Sequence, residues 1–328
     1  MIFLGCDAGS TKTEFLVATQ DGKLLARELF PACNYLEMGE ERFARTMRGF
    51  AERVCEAAGI GANDPDFTVF GLPALGEVEG LEEGAAEALG EYAREGRSLL
   101  VNDAVLGWAG SLAGAPGINI VSGTGSITYG EDPQGGSKRV SGWSLLFDDP
   151  GSCAWVGRQT LSLFFKQADG RIPRGALYDV LREYWGLGDH PEYFAGKALY
   201  MLNTNRSELA KVQLLTRRAA DLGDEAAVEL YREAVELLAE SARVVRDALC
   251  FPAAKPVMVS YSGGFFRNGD WVLTPLREAI RVRGMALVAP KYSPAVGALA
   301  LGAKRYLAQE ALSLFLKNIQ EVIDRTAD

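Results

Sequence analysis

The chain has 328 residues, of which 48% are apolar and 23% are charged, so it is long enough for two domains with ordinary globular cores. A net charge of −9 argues against a protein that binds nucleic acid through phosphate contacts, and it gives no reason to expect an anionic membrane as partner. No segment approaches the roughly 18–20 apolar residues of a membrane span. The first residues lack a basic leader, so the expected location is the cytoplasm.

The first third of the chain predicts an antiparallel meander followed by alternating helices and buried strands. Asp21 and Gly22 form a tight-turn signal between the second and third strands, and the first strand runs into a glycine-rich turn. In chain order the predicted elements are strands at 2–5, 13–18 and 23–30, a helix at 40–58, a strand at 67–71, a helix at 81–94 and a strand at 98–101.

The same pattern restarts near residue 118 and then becomes mainly helical. The predicted elements are strands at 118–121, 127–129 and 138–140, a helical region at 152–249 whose longest helix covers 225–250, strands at 257–260 and 287–289, and helices from 293 and across 312–323. Two such repeats predict an α/β fold of two lobes that form a cleft, with a mixed sheet in each. The boundary is expected near the Gly/Ala-rich stretch 110–117, which gives lobes at 1–114 and 115–305, with helix 306–328 as an element that packs back on the first lobe.

Two glycine-rich turns occupy matching positions in the two repeats. The first covers residues 7–13 and the second covers 122–126. Glycine lets backbone N–H groups approach phosphate oxygens, and the serine and threonine hydroxyls add donors. Either turn alone is equally compatible with an ordinary hairpin, but their duplication favours phosphate binding, and no P-loop sequence is present.

Two carboxylates follow buried strands. Asp7 precedes the first turn, where it could hold Mg²⁺ through water, since Mg²⁺ keeps several waters and takes one or two carboxylates. Asp103 follows the strand at 98–101, and ligands of α/β sheets gather at the carboxyl ends of strands. There it could take the proton from a hydroxyl that attacks a γ-phosphorus. The alternative is a helix N-cap at Asn102 or Asp103.

Other residues have both a binding and a structural interpretation. Asn34 either offers the donor and acceptor that sugar hydroxyls need or serves as a turn residue. Residues 262–264 either leave bare backbone for an adenine or ribose or form a strand-to-helix turn. Trp143 either lines a pocket or packs in a core. Lys12 and Arg158 either meet phosphates or lie on the surface.

Together these segments resemble the N-acetylglucosamine kinase and BadF/BcrA-type ATPase family, within the superfamily of sugar kinases, acetate kinase and actin. The resemblance covers nearly the whole chain. The segments that resemble family motifs, with the family's motif in parentheses, are 7–13 (D-G-G-G-T-K-T), Asn34 with Gly39 (N-x4-G), 102–104 (N-D-A), 122–126 (the second phosphate loop) and 142–158 (G-W-G-x-L-L-G-D-E-G-S-G-x-W-I-G-R). Further similar segments are 168–171, 223–224, 263–264 and 294–298.

This resemblance implies two actin-like, ribonuclease H-like lobes around an ATP and sugar cleft. It implies ATP-dependent phosphorylation of an amino sugar such as N-acetylglucosamine or glucosamine, at its 6-hydroxyl and by direct in-line transfer. Asp103 would be the base and Asp7 would help to hold Mg²⁺. The partner would be a small-molecule sugar, not nucleic acid or membrane, with a homodimer as one option. The implied ATP and phosphate ligands are Gly9, Ser10, Thr11, Lys12, Thr13, Gly123, Thr124, Gly125, Ser126, Gly263 and Gly264, and the implied sugar ligands are Asn34, Asn102, Trp143 and Asp149.

Departures from the family pattern fall in the sugar segment. Ser144, Asp148 and Cys153 stand where the pattern has glycine, and Pro150 stands where it has glutamate. Ser144 and Cys153 narrow the space that glycine would leave open, while Pro150 removes a carboxylate and a backbone donor. The identity of the sugar therefore stays open, whereas the ATP segments are unaffected.

Two other functions remain open. Some relatives are ATPases that drive a partner protein through an iron–sulfur cluster bridging two subunits, which needs cysteines on a dimer surface. The five cysteines here are scattered without a CxxC pair and fit a reducing compartment, and the single histidine, His190, is expected in a loop. The third option is a sugar-sensing regulator, and no helix-turn-helix precedes the first glycine turn.

Overall fold

The computed structural model describes residues 1–9, 12–188, 190–204 and 206–325. The chain divides into two compact units, Met1–Pro116 with Ala289–Asp328, and Gly117–Val288. The division falls two residues after the expected one at 114, and residues 289–305, expected in the second lobe, lie in the first unit. Among the described residues, no helix combines the length and apolar character needed to cross a membrane.

Ten strands and twelve α-helices make up the described part of the chain, with short 3₁₀ turns at Gly90–Tyr92, Pro191–Phe194 and Gly264–Asn268. The strands are β1 Ile2–Ala8, β2 Lys12–Thr19, β3 Leu24–Pro31, β4 Phe67–Leu72, β5 Ser98–Asn102, β6 Gly117–Ser122, β7 Ser126–Glu131, β8 Ser137–Val140, β9 Val257–Ser262 and β10 Met285–Leu287. The helices are α1 Tyr35–Met38, α2 Glu40–Ala57, α3 Leu81–Leu89, α4 Asp103–Ser111, α5 Cys153–Ala168, α6 Ala176–Trp185, α7 Ala195–Thr204, α8 Arg206–Asp221, α9 Glu225–Ala248, α10 Asp270–Val282, α11 Pro294–Ala303 and α12 Gln309–Arg325.

The two sheets have the same topology. The first has the strand order β3-β2-β1-β4-β5, and the second has β10-β9-β6-β7-β8, which is the same order written from the other edge. In each unit three strands form an antiparallel meander, and two further strands run parallel to the first of them. The prediction of an α/β fold with a mixed sheet in each half is therefore confirmed.

Helices cover both faces of the first sheet. Leu4 and Cys6 of β1 pack with residues of α2 and α3, whereas Phe3 packs on the opposite face with residues of α4, α11 and α12. This follows from the alternation of side chains along a strand. Burial on both faces also explains why β1 reads as an unbroken apolar run instead of alternating with polar residues.

Close backbone packing places α11 in the first unit. A Cβ at Gly297 would lie 2.3 Å from the carbonyl oxygen of Leu106 and 2.5 Å from the amide nitrogen of Gly110, both in α4. A Cβ at Gly5 of β1 would lie 2.9 Å from the Cβ of Ala298. The missing side chains let α11 press against both α4 and β1, so residues that follow the second sheet in sequence complete the first one.

The second unit has a largely helical core around its sheet. The 24-residue helix α9 buries a stripe that includes Tyr231, Val235, Leu238 and Val245, at the helical spacing expected from the sequence. Asp224 caps its N-terminus, because its carboxylate accepts a hydrogen bond of 2.9 Å from the amide of Ala227.

Candidate active site

The tip of the β1–β2 hairpin is a short turn closed by Gly9 and Lys12. The amide of Gly9 donates to the carbonyl of Lys12 at 2.9 Å, and Ala8 pairs with Thr13 in the last rung of the ladder. The predicted ligands Ser10 and Thr11 lie outside the described residues.

The ammonium group of Lys12 at this turn is held by the buried carboxylate of Glu14. Lys12 Nζ lies 2.7 Å from Glu14 Oε2, and Arg27 Nε lies 2.9 Å from Glu14 Oε1. Only 5% of the Glu14 side chain is exposed, against 54% for Lys12. The neighbouring Thr13 is fully buried, and its hydroxyl has no hydrogen-bond partner among the described residues. An unsatisfied buried hydroxyl is costly, and because the Thr13 hydroxyl is buried, it is not exposed to a ligand at the turn.

The first sheet brings the two predicted carboxylates together. Asp7 lies near the end of β1 and Asp103 directly after β5, and both strands are parallel to β4, so their carboxyl ends share one edge. Burial and, to a smaller extent, the negative charges of Asp103 and Glu14 raise the pKa of Asp7 to about 7, while the charge of Lys12 opposes the rise. Such mutual repulsion is what a divalent cation would relieve.

The metal-binding capacity of this edge is limited to a pair of carboxylates. Among the described residues, no group of three or more His, Cys, Asp or Glu side chains is arranged to hold a metal ion. A pair of carboxylates nevertheless fits Mg²⁺, which is commonly held by one or two carboxylates together with water and substrate phosphates.

Asn102 is the N-cap of α4, one of the alternatives that the sequence left open. Its Oδ1 accepts from the amide of Ala104 at 3.1 Å, and its Nδ2 donates to the carbonyl of Leu75 and to Glu77, both at 3.1 Å. The cap fixes the first turn of α4 and with it Asp103. Asn34 lies half-buried just before α1, where its carbonyl accepts from the amide of Met38 at 3.0 Å.

The β6–β7 turn of the second unit is bound to the segment 150–153. The amide of Gly123 donates to the carbonyl of Gly125 at 2.9 Å, which closes the turn. The hydroxyl of Ser122 donates to the carbonyl of Gly151 at 2.8 Å, and that of Ser126 donates to Pro150 at 2.7 Å. The second glycine turn therefore rests on the segment in which Pro150 and Cys153 depart from the sequence pattern that the chain resembles.

Asp149 is buried directly beneath this turn. Its carboxylate lies 2.6 Å from Arg206 Nη2, and the backbone N–H groups of Ser126 and Ser144 act with Arg206 to lower its pKa. Burial raises the pKa of Asp149, and the Arg206 charge opposes that rise. Sequence reasoning missed Arg206, because it stands 57 positions further along the chain and no local motif marks it.

Trp143 lies on the surface of the second unit. It is 54% exposed, and the Arg139 guanidinium lies 4.3 Å from the centroid of its ring. Leu146 and Phe147 of the same loop are also exposed. Asp148, one of the departures from the family pattern, shapes this loop by accepting from the amide of Trp143 at 3.0 Å. The core interpretation of Trp143 is therefore wrong, and its side chain is accessible to a ligand.

Gly263 is required by the packing of the second sheet. It has a φ of +106°, and a Cβ there would lie 2.2 Å from the carbonyl oxygen of Ser122. Gly264 has open space at its Cβ position. The turn after β9 thus lies against the end of β6 without any side chain between them.

Comparisons with known proteins cover nearly the whole chain. A family model described as the BadF/BadG/BcrA/BcrD ATPase family matches residues 4–302. An N-acetylmuramic acid/N-acetylglucosamine kinase of Clostridium acetobutylicum is 25% identical over 308 residues, which is 90% of this chain and 96% of that protein. An N-acetyl-D-glucosamine kinase of Dictyostelium discoideum is 26% identical over 275 residues, which is 80% of this chain and 85% of that protein.

A solved structure shows the same fold. A protein from Chromobacterium violaceum, described as an N-acetylglucosamine kinase, superposes with a TM-score of 0.68 at 25% identity, and the match covers 92% of this chain and 98% of that one.

Proposed function

The chain belongs to the BadF/BadG/BcrA/BcrD ATPase family, as its motifs predicted, and we propose that it is an ATP-dependent kinase of an amino sugar. The observation that carries the proposal is the Asp7–Asp103 pair at one edge of the first sheet. The pair lies next to a glycine turn that carries the positive charge of Lys12. Two relatives that match most of this chain are named as kinases of N-acetylated amino sugars, which supports the substrate class.

In the proposed reaction Asp103 is the general base. It takes the proton from the sugar 6-hydroxyl as the hydroxyl oxygen attacks the γ-phosphorus of ATP in line with the departing ADP oxygen. The bond between the γ-phosphorus and that ADP oxygen breaks, and the products are ADP, the sugar phosphate and a proton. The Asn102 cap serves this step by fixing the helix turn that carries Asp103.

Asp7 is proposed as the ligand that holds Mg²⁺ through water. When bound, the cation would neutralise charge on the β- and γ-phosphates. This role suits Asp7 because its carboxylate is partly protonated at neutral pH without a cation, and a bound cation would favour the ionised form. The backbone of the β1–β2 turn, with Lys12, is proposed to bind phosphate oxygens in the first unit, and the β6–β7 turn is proposed to do so in the second.

Asn34 and Trp143 are the proposed sugar contacts. The amide of Asn34 offers both a donor and an acceptor to sugar hydroxyls, and the exposed indole of Trp143 offers an apolar face to the sugar ring or its acetyl group. Asn102 and Asp149 were also expected to contact the sugar. Their polar atoms are engaged with the protein, so we propose that each acts by holding another residue.

The test is ADP release from MgATP with and without a panel of amino sugars. We expect sugar-dependent turnover that Asp103→Asn lowers by at least about a hundredfold, since general-base catalysis contributes roughly 10²–10⁴-fold. Asp179→Asn, at an exposed position of α6, is the matched control and should turn over normally. Turnover that ignores every sugar would reject the kinase and favour an ATPase that drives a partner protein.

The cysteines bear on that competing function. Cys6, Cys33, Cys55 and Cys153 are buried and Cys250 is exposed, which leaves few thiols for a cluster shared between two subunits. Iron analysis of the purified protein, alongside the turnover assay, separates the two functions.

A further inference from the structure

Arg206 lies against the glycine turn of the second unit. A Cβ built on Gly125 would lie 3.3 Å from Arg206 Nη2 and 3.1 Å from Asp149 Oδ2. About half of the Arg206 side chain, 51%, is exposed, whereas only 4% of the Asp149 side chain is. The guanidinium thus presents a positive charge to solvent at the surface of the turn.

Asp149 fixes the orientation of that charge. Its buried carboxylate accepts a hydrogen bond of 2.6 Å from Arg206 Nη2. A carboxylate buried in this way is stable only when it is paired and hydrogen-bonded, so the pair also holds Arg206 in place. The ion pair therefore connects the turn at 122–126 to the start of α8.

The first unit has the same arrangement. At the β1–β2 turn, the exposed Lys12 is held by the buried Glu14 at 2.7 Å. Within residues 122–126 of the second turn there is no lysine or arginine, so the positive charge there comes from a distant segment. In both units a glycine turn is accompanied by a half-exposed cation on a buried carboxylate.

We infer that Arg206 binds a terminal phosphoryl oxygen of the nucleotide at the β6–β7 turn and that Asp149 is its positioning residue. This inference rests on the proposed function, which makes ATP the ligand. The planar guanidinium can donate two parallel hydrogen bonds to a phosphate while a third donor remains on Asp149. Glycine at 125 lets the Asp149–Arg206 pair lie close against the turn, where a Cβ would crowd both side chains.

The experiment measures nucleotide binding by titration calorimetry, without any sugar. Arg206→Gln should weaken MgATP binding by about tenfold or more, since a charge-assisted hydrogen bond contributes ~1.5–3 kcal/mol. MgADP binding should weaken less, because ADP lacks the γ-phosphate. Arg206→Lys keeps the charge but loses the forked pair of guanidinium donors, so its MgATP affinity should lie between those of the wild type and Arg206→Gln. The matched control is Arg218→Gln, on the same helix with a 2.6 Å ion pair to Glu183 and 52% exposure, and it should bind normally.

Asp149→Asn tests the positioning role. It should reproduce part of the Arg206→Gln loss, and the double variant should bind MgATP no more weakly than Arg206→Gln alone. Additive losses would overturn the positioning role. Should Asp149→Asn not fold, the comparison of Arg206→Lys with Arg206→Gln still decides whether the fork matters.

The other source of an oxyanion is a carboxylate on the sugar. Turnover of N-acetylmuramic acid, which carries one, is therefore compared with that of N-acetylglucosamine. Unchanged MgATP affinity in Arg206→Gln, with a loss confined to the acidic sugar, would overturn the inference. If no sugar is phosphorylated but MgATP binding still depends on Arg206, the inference stands and the proposed sugar kinase activity fails.

Discussion

Replacing Asp7 with asparagine should make the protein more stable at neutral pH. Asparagine mimics the protonated carboxyl group, and burial together with Asp103 and Glu14 raises the pKa of Asp7 from 3.8 to about 7. Between these two values the folded protein keeps a proton that the unfolded chain has lost. The free energy of unfolding of the wild type therefore falls as pH rises through this range.

The size of the effect follows from the two pKa values. At about 1.4 kcal/mol per pH unit, the difference between 3.8 and about 7 amounts to ~4 kcal/mol once Asp7 is fully ionised, near pH 8. Between pH 5 and pH 8, Asp7→Asn should therefore gain about 3 kcal/mol over the wild type. The gain applies to the protein without Mg²⁺, since a bound cation would favour the ionised carboxylate.

The assay is urea unfolding of both proteins at several pH values in the presence of a chelator. Because the two units can unfold in separate transitions, amide hydrogen exchange in β1 reports the unit that contains Asp7. Asp103→Asn should flatten the pH dependence only in part, since burial is the larger cause of the raised pKa. Asp179→Asn, exposed on α6, should leave it unchanged. Parallel stability curves for the wild type and Asp7→Asn between pH 5 and pH 8 would refute the reasoning.

Two further substitutions test backbone strain in the second unit. Ser144 has a φ of +108°, which favours glycine, so Ser144→Gly should raise the free energy of unfolding by about 1 kcal/mol; an unchanged urea midpoint would contradict this. Gly263→Ala should cost about 2–4 kcal/mol, because its Cβ would meet the carbonyl of Ser122 at 2.2 Å in a left-handed conformation. Thermal unfolding measures this loss of stability. The control is Gly264→Ala, which has open space around its Cβ and should lower the free energy of unfolding by less than ~1 kcal/mol.

Elements with strong local patterns could be predicted from the sequence. The meander at 2–5, 13–18 and 23–30 appears as β1, β2 and β3, because buried apolar runs and the Asp21–Gly22 turn are local signals. The helix predicted at 225–250 ends at 248. Element ends differ by a few residues because capping and fraying depend on neighbours in space.

The place of α11 could not be predicted in the same way. It follows β10 in the chain, and nothing in its own apolar sequence says which sheet it covers. The position of α11 is determined by two glycines far apart in sequence, Gly110 and Gly297, because their missing side chains let α4 and α11 touch. Such complementarity becomes visible only in three dimensions.

The candidate site shows the same division. The sequence predicts that Asp7 and Asp103 each follow a buried strand, and the parallel pairing of β1, β4 and β5 then places both at one edge of the sheet. The Asp149–Arg206 pair could not be predicted, since a side chain of a distant helix supplies the charge. The N-cap role of Asn102 was one of two alternatives that only the hydrogen bonds distinguish.

The first unit is built from two separate segments of the chain, so its parts are synthesised at different times. A ribosome completes the continuous segment 117–288 while the first sheet still lacks α11 and α12. During that time the face of the sheet that contains Phe3 and Leu16 has no cover from the residues of those helices, such as Leu299 and Phe315. The second unit can therefore reach its native state first, and the N-terminal sheet must wait for the last helices to leave the exit tunnel.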